Sequence, residues 1–113
     1  MKVLVTGGRK YNDYAEVCRT LGQLHNNYGV TLLIHGGADG ADKLCDMWAK
    51  GVGVHTCRVD ALWHHYDLAA GFKRNSVMLL LQPDYVVAFP GGAGTASMVK
   101  LAENANLPIE KVM

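Results

Sequence analysis

The sequence predicts an α/β protein: a single three-layer domain over residues 1–113, with a mostly parallel sheet of four to five strands and helices on both faces. Three observations predict this fold. Short apolar runs alternate with helix-compatible stretches along the chain. A Gly-Gly pair closes three of the apolar runs, as in strand-to-helix turns. Half of the 113 residues are hydrophobic, which is enough for the core of one ordinary domain.

The first half of the chain alternates strands with two amphipathic helices. We expect strands at residues 2–6, 30–35 and 54–59, the last of them weaker because polar residues interrupt it. A helix over residues 14–28 follows Asn12 and Asp13, either of which is suited to cap it. A second helix begins at about residue 41 and ends at Gly51 and Gly53. The expected apolar stripes contain Tyr14, Val17, Cys18, Leu21, Leu24 and Tyr28 in the first helix and Ala41, Leu44, Cys45 and Trp48 in the second.

The second half continues the alternation after an irregular stretch at residues 60–67. A third helix is expected from about residue 68 to residue 81, with Asp67 placed to cap it. A strand at residues 84–89, a helix at residues 93–105 and a short strand at residues 108–113 complete the chain. The expected inward-facing residues are Val77, Met78 and Leu81 in the third helix and Met98, Val99, Ala102 and Ala105 in the fourth.

The three Gly-Gly turns are expected to meet at one edge of the sheet. The carboxyl ends of parallel strands lie on the same edge, and ligands bind there at the point where the strand order reverses. In a 3-2-1-4-5 order this point brings the first turn beside the last, although the sequence leaves the order open. Glycine-rich turns present backbone N–H groups to phosphate, so we predict an anion site formed by Gly7, Gly8, Gly36, Gly37, Pro90, Gly91, Gly92, Gly94 and Thr95.

Two arginines and an asparagine are candidates to complete this site. Arg74 lies on the apolar face of the third helix, where a guanidinium needs an anion; the alternatives are solvent or an ion pair with Asp60 or Asp67. Asn75 either bonds a base or ribose or faces solvent. Arg9 follows the first turn and either reaches the phosphate or remains an exposed loop cation.

The sequence leaves two alternative roles for the acidic residues and for the aromatic residues near the same edge of the sheet. Asp39 and Asp42 flank the start of the second helix and either stabilise its amino end or bond ribose hydroxyls. The aromatic segment, residues 63–66, either stacks on a base or packs as an apolar lid. Asp84 begins its strand at the opposite edge, and Glu103 lies on the order of 13 Å along the fourth helix, so we expect neither to touch the ligand.

Composition narrows the class of protein. A formal net charge of +1 disfavours a protein that coats nucleic acid, which would carry a basic face. Neither a signal peptide nor a stretch of about 20 apolar residues is evident, which argues against a membrane protein. The three cysteines have no paired spacing and form no metal motif, so we expect reduced thiols, a cytoplasmic location and neither a metal nor a cofactor.

Four motifs in order resemble the YspA-like, cpYpsA-related branch of the SLOG superfamily. They are Val5-Thr6-Gly7-Gly8-Arg9, His35-Gly36-Gly37-Ala38-Asp39-Gly40-Ala41-Asp42, Ala70-Gly71-Phe72-Lys73-Arg74-Asn75 with Met78, and Phe89-Pro90-Gly91-Gly92-Ala93-Gly94-Thr95. The resemblance implies a Rossmann-like fold. It also implies a nucleotide or nucleotide-derived ligand over residues 90–95, with further sites at Gly36, Gly37, Arg74 and Asn75.

The resemblance leaves three functions to compare. The first is a cytosolic ligand-binding or sensor domain. The second is the phosphoribohydrolase activity of the LOG relatives, which also imply a homodimer; their catalytic glutamate lies three residues after the loop threonine, where this chain has Met98. Asp39 or Asp42 would have to replace that carboxylate in cleavage of the N-glycosidic bond. The third is single-stranded DNA binding, as in the related DprA proteins, which the near-neutral charge disfavours.

Overall fold

Strands and helices alternate along the protein, as the sequence predicts. The computed structural model describes residues 1–61 and 70–113. Its strands are β1 (Lys2–Thr6), β2 (Leu32–His35), β3 (His55–Arg58), β4 (Tyr85–Ala88) and β5 (Ile109–Lys111). Its helices are α1 (Tyr14–Tyr28), α2 (Ala41–Val52), α3 (Ala70–Leu80) and α4 (Ala93–Asn104). The aromatic segment and the predicted cap Asp67 lie outside the described residues.

The five strands form one parallel sheet in the order β3-β2-β1-β4-β5. Strand β1 pairs with both β2 and β4, so that Leu4 lies between Ile34 and Val86. The order reverses between β1 and β4, which is the position where ligands bind in doubly wound sheets. The predicted α/β class is confirmed.

Residues of β1 alternate between the two faces of the sheet. Val3 and Val5 pack in one buried cluster with α1 and α2, including Leu21 and Trp48. Leu4 packs in a second cluster on the other face, which also contains Met78 of α3 and Met98 and Ala102 of α4. Helices therefore cover both faces of the sheet and bury its apolar side chains, which is the main source of stability in such a fold.

The ends of helix α1 show how local signals set the boundaries. Asp13 is the N-cap, and its carboxylate accepts a hydrogen bond of 3.1 Å from the Glu16 N–H. Of the two predicted caps, Asp13 therefore fills the role. Tyr28 was expected in the apolar stripe, but 69% of its surface is exposed because it occupies the last turn, beyond the buried residues of α1.

Three other predicted core residues are exposed. Tyr14, the first residue of α1, is 38% exposed. Val77 of α3 is 46% exposed, because the buried face of this helix carries Asn75 and Met78 instead. Ala105 is exposed because α4 ends at Asn104, which makes Ala105 the C-cap rather than an inward-facing helical residue. None of the helices among the described residues is long and apolar enough to cross a membrane.

Candidate functional site

The first and third Gly-Gly turns lie in direct contact at the point where the strand order reverses. The Gly8 N–H donates to the Pro90 carbonyl at 2.8 Å, and the Phe89 N–H donates to the Thr6 carbonyl at 2.9 Å. A Cβ on Gly8 would lie 2.9 Å from the Pro90 carbonyl oxygen, closer than real Cβ contacts. Glycine is therefore required at position 8 so that the two turns can approach each other.

The start of α2 closes against the first turn from the other side. Gly40 has a φ of +76°, and a Cβ there would overlap the backbone of Gly8 and Arg9. The following residue, Ala41, donates its N–H to the Gly8 carbonyl at 3.1 Å. The contact and the left-handed backbone both favour glycine at position 40. The three turns thus form one continuous wall, as the sequence predicts.

The N–H groups of the first two turns are largely used inside the protein. Gly36 and Ala38 donate to Oδ2 of Asp42 at 3.1 and 3.3 Å, and Gly37 donates to Nδ1 of His35 at 3.0 Å. The Gly8 N–H binds Pro90, as described above. The prediction that all three turns direct their N–H groups at an anion is therefore wrong for these positions.

In contrast to the first two turns, the first turn of α4 has no side chain that binds its N–H groups as a cap. Its N-cap is Gly92, which makes no side-chain capping bond, and the turn contains no acidic residue. The first helical hydrogen bond runs from the Ala96 N–H to the Gly92 carbonyl at 3.0 Å. The preceding N–H groups of Ala93, Gly94 and Thr95 point out of the helix end, where the helix dipole favours an anion.

A cavity of about 370 Å³ lies in front of this helix end. Its lining comprises Val5, Thr6, Gly7, Gly8, Arg9, Ala38, Asp42, Gly71, Phe72, Arg74, Asn75, Met78, Gly92, Ala93, Gly94 and Thr95. A second cavity of about 450 Å³ shares Arg9, Ala38 and Arg74 with it and also contains Gly36, Gly37 and Asp39. The predicted site residues are thus divided between two adjoining cavities, while Pro90 and Gly91 pack against Gly8.

Arg74 and Asn75 connect α3 to two of the turns. Nη1 of Arg74 donates to the Gly36 carbonyl at 2.7 Å, and Nδ2 of Asn75 donates to the Gly94 carbonyl at 3.1 Å. Burial lowers the pKa of the Arg74 guanidinium, and Arg9 lowers it further, while Asp42 and Asp60 act in the opposite direction. Asn75 is only 3% exposed, so it is not a solvated side chain; it lines the 370 Å³ cavity, and its contact with a base or ribose stays a prediction.

Asp42 is the acidic side chain among the described residues that line the 370 Å³ cavity. It is 6% exposed, and burial raises its carboxyl pKa despite the N–H bonds from Ala38 and Gly36 and the nearby charge of Arg74. The sequence interpretation treated Asp39 and Asp42 alike, but Asp39 is exposed and lines only the neighbouring cavities. Asp42 therefore supports the second turn and also faces the candidate ligand space.

His35 is a residue that the sequence interpretation did not single out as functional. It is 3% exposed, and its Nδ1 accepts from the Gly37 N–H. In the neutral ring, Nε2 therefore carries the proton and donates to Asp46 at 2.9 Å. Asp46 also binds Lys50 at 2.7 Å. The available signal was a histidine closing an apolar strand directly before Gly-Gly.

The two acidic residues that we expect to lie away from the ligand are outside the lining of the 370 Å³ cavity. The Asp84 carboxylate accepts from the Lys2 N–H at 2.7 Å, at the edge of the sheet opposite the cavity. Glu103 is exposed near the far end of α4. Met98 is fully buried in the second core cluster, so the position where the LOG hydrolases carry a glutamate supplies no acid to the cavity.

The fold and the cavity define a Rossmann-like α/β protein with a candidate anion-binding site at the switch point of its sheet. A model of the YspA, cpYpsA-related SLOG family matches residues 1–66. The chain belongs to this family, as the four motifs indicated.

Two individual proteins are similar to this chain. The Gene 61 protein of Mycobacterium phage D29 is 35% identical over an alignment of 117 residues. The alignment covers 96% of this chain and 93% of that protein. The Moco carrier protein from Chlamydomonas reinhardtii has a similar structure, with a TM-score of 0.69. That similarity covers 98% of this chain and 75% of the carrier protein at 21% sequence identity, so it supports the fold.

Proposed function

We propose that the protein binds a nucleotide or nucleotide-derived small molecule, with its phosphate at the first turn of α4. The observation that carries this proposal is the uncapped end of α4 facing the 370 Å³ cavity. The N–H groups of Ala93, Gly94 and Thr95 and the positive end of the helix dipole supply the anion-binding chemistry. The Thr95 hydroxyl offers a further donor.

The charges around the cavity support an anionic ligand. Arg9 and Arg74 both line it, and Arg74 is held in place by its bond to the Gly36 carbonyl. The two positive charges favour a phosphorylated ligand in the cavity, and a guanidinium already fixed at its wall loses little conformational entropy when it contacts that ligand.

The cavity is larger than an inorganic phosphate requires. Its volume of about 370 Å³ falls within the range of small-molecule sites. Phe72, which is 49% exposed, adds apolar surface that suits the sugar and base of a nucleotide. The adjoining cavity at Arg9 and Arg74 offers space for a longer ligand such as ADP-ribose. A similar structure is named as a carrier of Moco, which agrees with small-molecule binding by this fold.

Calorimetric titration tests the proposal. The purified protein is titrated with nucleoside monophosphates, cyclic nucleotides, ADP-ribose and inorganic phosphate, and we expect at least one nucleotide to bind with a Kd below 1 mM. E103Q serves as a control, because it removes one exposed charge from α4 far from the cavity. If the whole panel fails to bind below the millimolar range, the proposal is wrong.

A second candidate function is hydrolysis of a nucleoside monophosphate to base and ribose phosphate. The observation in its favour is Asp42, a buried carboxylate in the cavity wall. In this hypothesis Asp42 activates water or stabilises an oxocarbenium-like centre. The test is release of free base, measured by chromatography for the unmodified protein, D42N and E103Q. Activity that survives in D42N would exclude Asp42 as the catalytic carboxylate.

A further inference from the structure

The cavity wall contains two buried polar atoms of opposite character without a hydrogen-bond partner among the described residues. They are Oδ1 of Asp42, an acceptor, and Nε of Arg74, a donor. Both side chains line the same cavity, and Asp42 is more than nine-tenths buried. Buried polar atoms are normally bonded, so each such exception calls for an explanation.

Both side chains are fixed by the same residue. Oδ2 of Asp42 accepts from the Gly36 N–H at 3.1 Å, and Nη1 of Arg74 donates to the Gly36 carbonyl at 2.7 Å. Each of the two charges acts on the pKa of the other, yet the ion pairs of the described residues do not include one between Asp42 and Arg74. The pair is therefore held near the cavity in a fixed, incompletely bonded arrangement.

The chemistry of the two free atoms restricts the group that binds them. A phosphate oxygen satisfies Arg74 but is repelled by Asp42, and an ammonium satisfies Asp42 but is repelled by Arg74. A hydroxyl group both donates and accepts, so one hydroxyl or a neighbouring pair satisfies both atoms. Such hydroxyls lie close to the phosphate in a phosphorylated sugar.

We propose that Asp42 and Arg74 form a sugar subsite that recognises the ribose hydroxyls of a 5′-phosphorylated ligand. This inference rests on the proposed function, because the first turn of α4 must hold the phosphate. The two subsites are separate in the structure: the phosphate position is formed by N–H groups of α4, and the hydroxyl position by side chains of α2 and α3. The protein therefore discriminates ribonucleotides from their deoxy analogues.

The test compares four probes by calorimetric titration: AMP, 2′,3′-dideoxy-AMP, ribose 5-phosphate and inorganic phosphate. We expect AMP and ribose 5-phosphate to bind, and dideoxy-AMP to bind about tenfold more weakly or worse than AMP, since a hydrogen bond to a charged group is lost. D42N should bind AMP and dideoxy-AMP with similar affinity, while E103Q should keep the difference. The amide of D42N still offers an oxygen to Gly36 and Ala38, and the ligand series on the unmodified chain remains decisive if D42N fails to fold.

Each other outcome identifies what is wrong. Equal binding of AMP and dideoxy-AMP to the unmodified chain overturns hydroxyl recognition and leaves the phosphate site intact. Binding of ribose 5-phosphate no tighter than inorganic phosphate shows that the sugar hydroxyls add no affinity, which also overturns the sugar subsite. Failure of all four probes to bind, together with the wider nucleotide panel, overturns both the subsite and the proposed function.

Discussion

Replacing Gly92 with aspartate tests the anion site, because the substitution should raise the stability of the protein and weaken its binding of a nucleotide. Gly92 is the N-cap of α4, and no other part of the described chain lies within 4 Å of a Cβ built there. Its φ of −101° is negative, so a side chain meets no left-handed strain. A carboxylate at this position caps the N–H groups of the first turn and occupies the space proposed for phosphate.

The expected gain in stability is modest. Aspartate replaces glycine at an N-cap with a benefit of a few tenths of a kcal/mol, and its charge adds roughly 0.3–1 kcal/mol at the positive helix end. Together these raise the free energy of unfolding by about 0.5–1.5 kcal/mol. For a chain of this length the melting temperature should rise by about 2–6 °C in scanning calorimetry.

The expected loss of ligand affinity is larger. Two unit charges about 4 Å apart repel by about 4 kcal/mol at an effective dielectric constant of about 20, which corresponds to roughly a thousandfold weaker binding. G92N is the matched control, because it caps the helix without a charge and should lose much less affinity. Unchanged nucleotide binding by G92D would show that the phosphate does not lie at α4. A fall in melting temperature in both variants would show that these N–H groups already have acceptors.

Three further predictions follow from contacts at the site. G40A should lower the free energy of unfolding, measured by urea titration, by about 2 kcal/mol or more, because Gly40 has positive φ and no room for a Cβ. The control G22A, in an open helical position, should raise the free energy of unfolding by about 0.5–1 kcal/mol. R74M should weaken nucleotide binding more than tenfold by calorimetry while changing unfolding by less than about 3 kcal/mol, and unaltered affinity would remove Arg74 from the site. Burial raises the pKa of Asp42 above its ordinary 3.8, so the stability of the unmodified protein relative to D42N should be greatest below pH 3.8 and decline as pH rises through the raised value. Burial also acts to raise the pKa of Asp46, but its hydrogen bonds to Lys50 and His35 outweigh this and lower it. D46N should therefore show the reverse trend, with its deficit present above pH 3.8 and lost on acidification; parallel pH profiles for the two variants would contradict both assignments.

The architecture was predictable because its signals are local. Apolar runs of strand length, helical stripes and Gly-Gly turns each depend on a few neighbouring residues, and the right-handed crossover rule then places the turns at one edge. The strand order required the structure, since β1 pairs with β4 across more than 75 residues of intervening chain. The contact of the first and third turns depends on that order.

The site was predictable only in part, because hydrogen-bond partners are set by tertiary contacts. Glycine spacing at position 36 indicates an available N–H group, yet the folded chain brings Asp42 to it. The rotation of α3 was also misjudged, because a buried Asn75 does not contribute to an apolar stripe, whereas the exposed Val77 does. The side-chain amide of Asn75 can be buried because it donates a hydrogen bond to the Gly94 carbonyl, 19 positions further along the chain.

The close packing of the glycine turns separates the residues that hold the fold at this edge of the sheet from the residues that line the cavity. Gly8 and Gly40 allow the turns to pack together, and the main-chain hydrogen bonds of Gly8 to Pro90 and Ala41 form without a ligand. Under the proposed function, selectivity depends on Asp42 of α2, Arg74 of α3 and the exposed start of α4. If the proposal is correct, substitutions at Asp42, Arg74 or Gly92 should change ligand preference while the glycine turns stay in place. A designer who wishes to redirect this protein to a new small molecule should vary those three positions and leave the glycine framework intact.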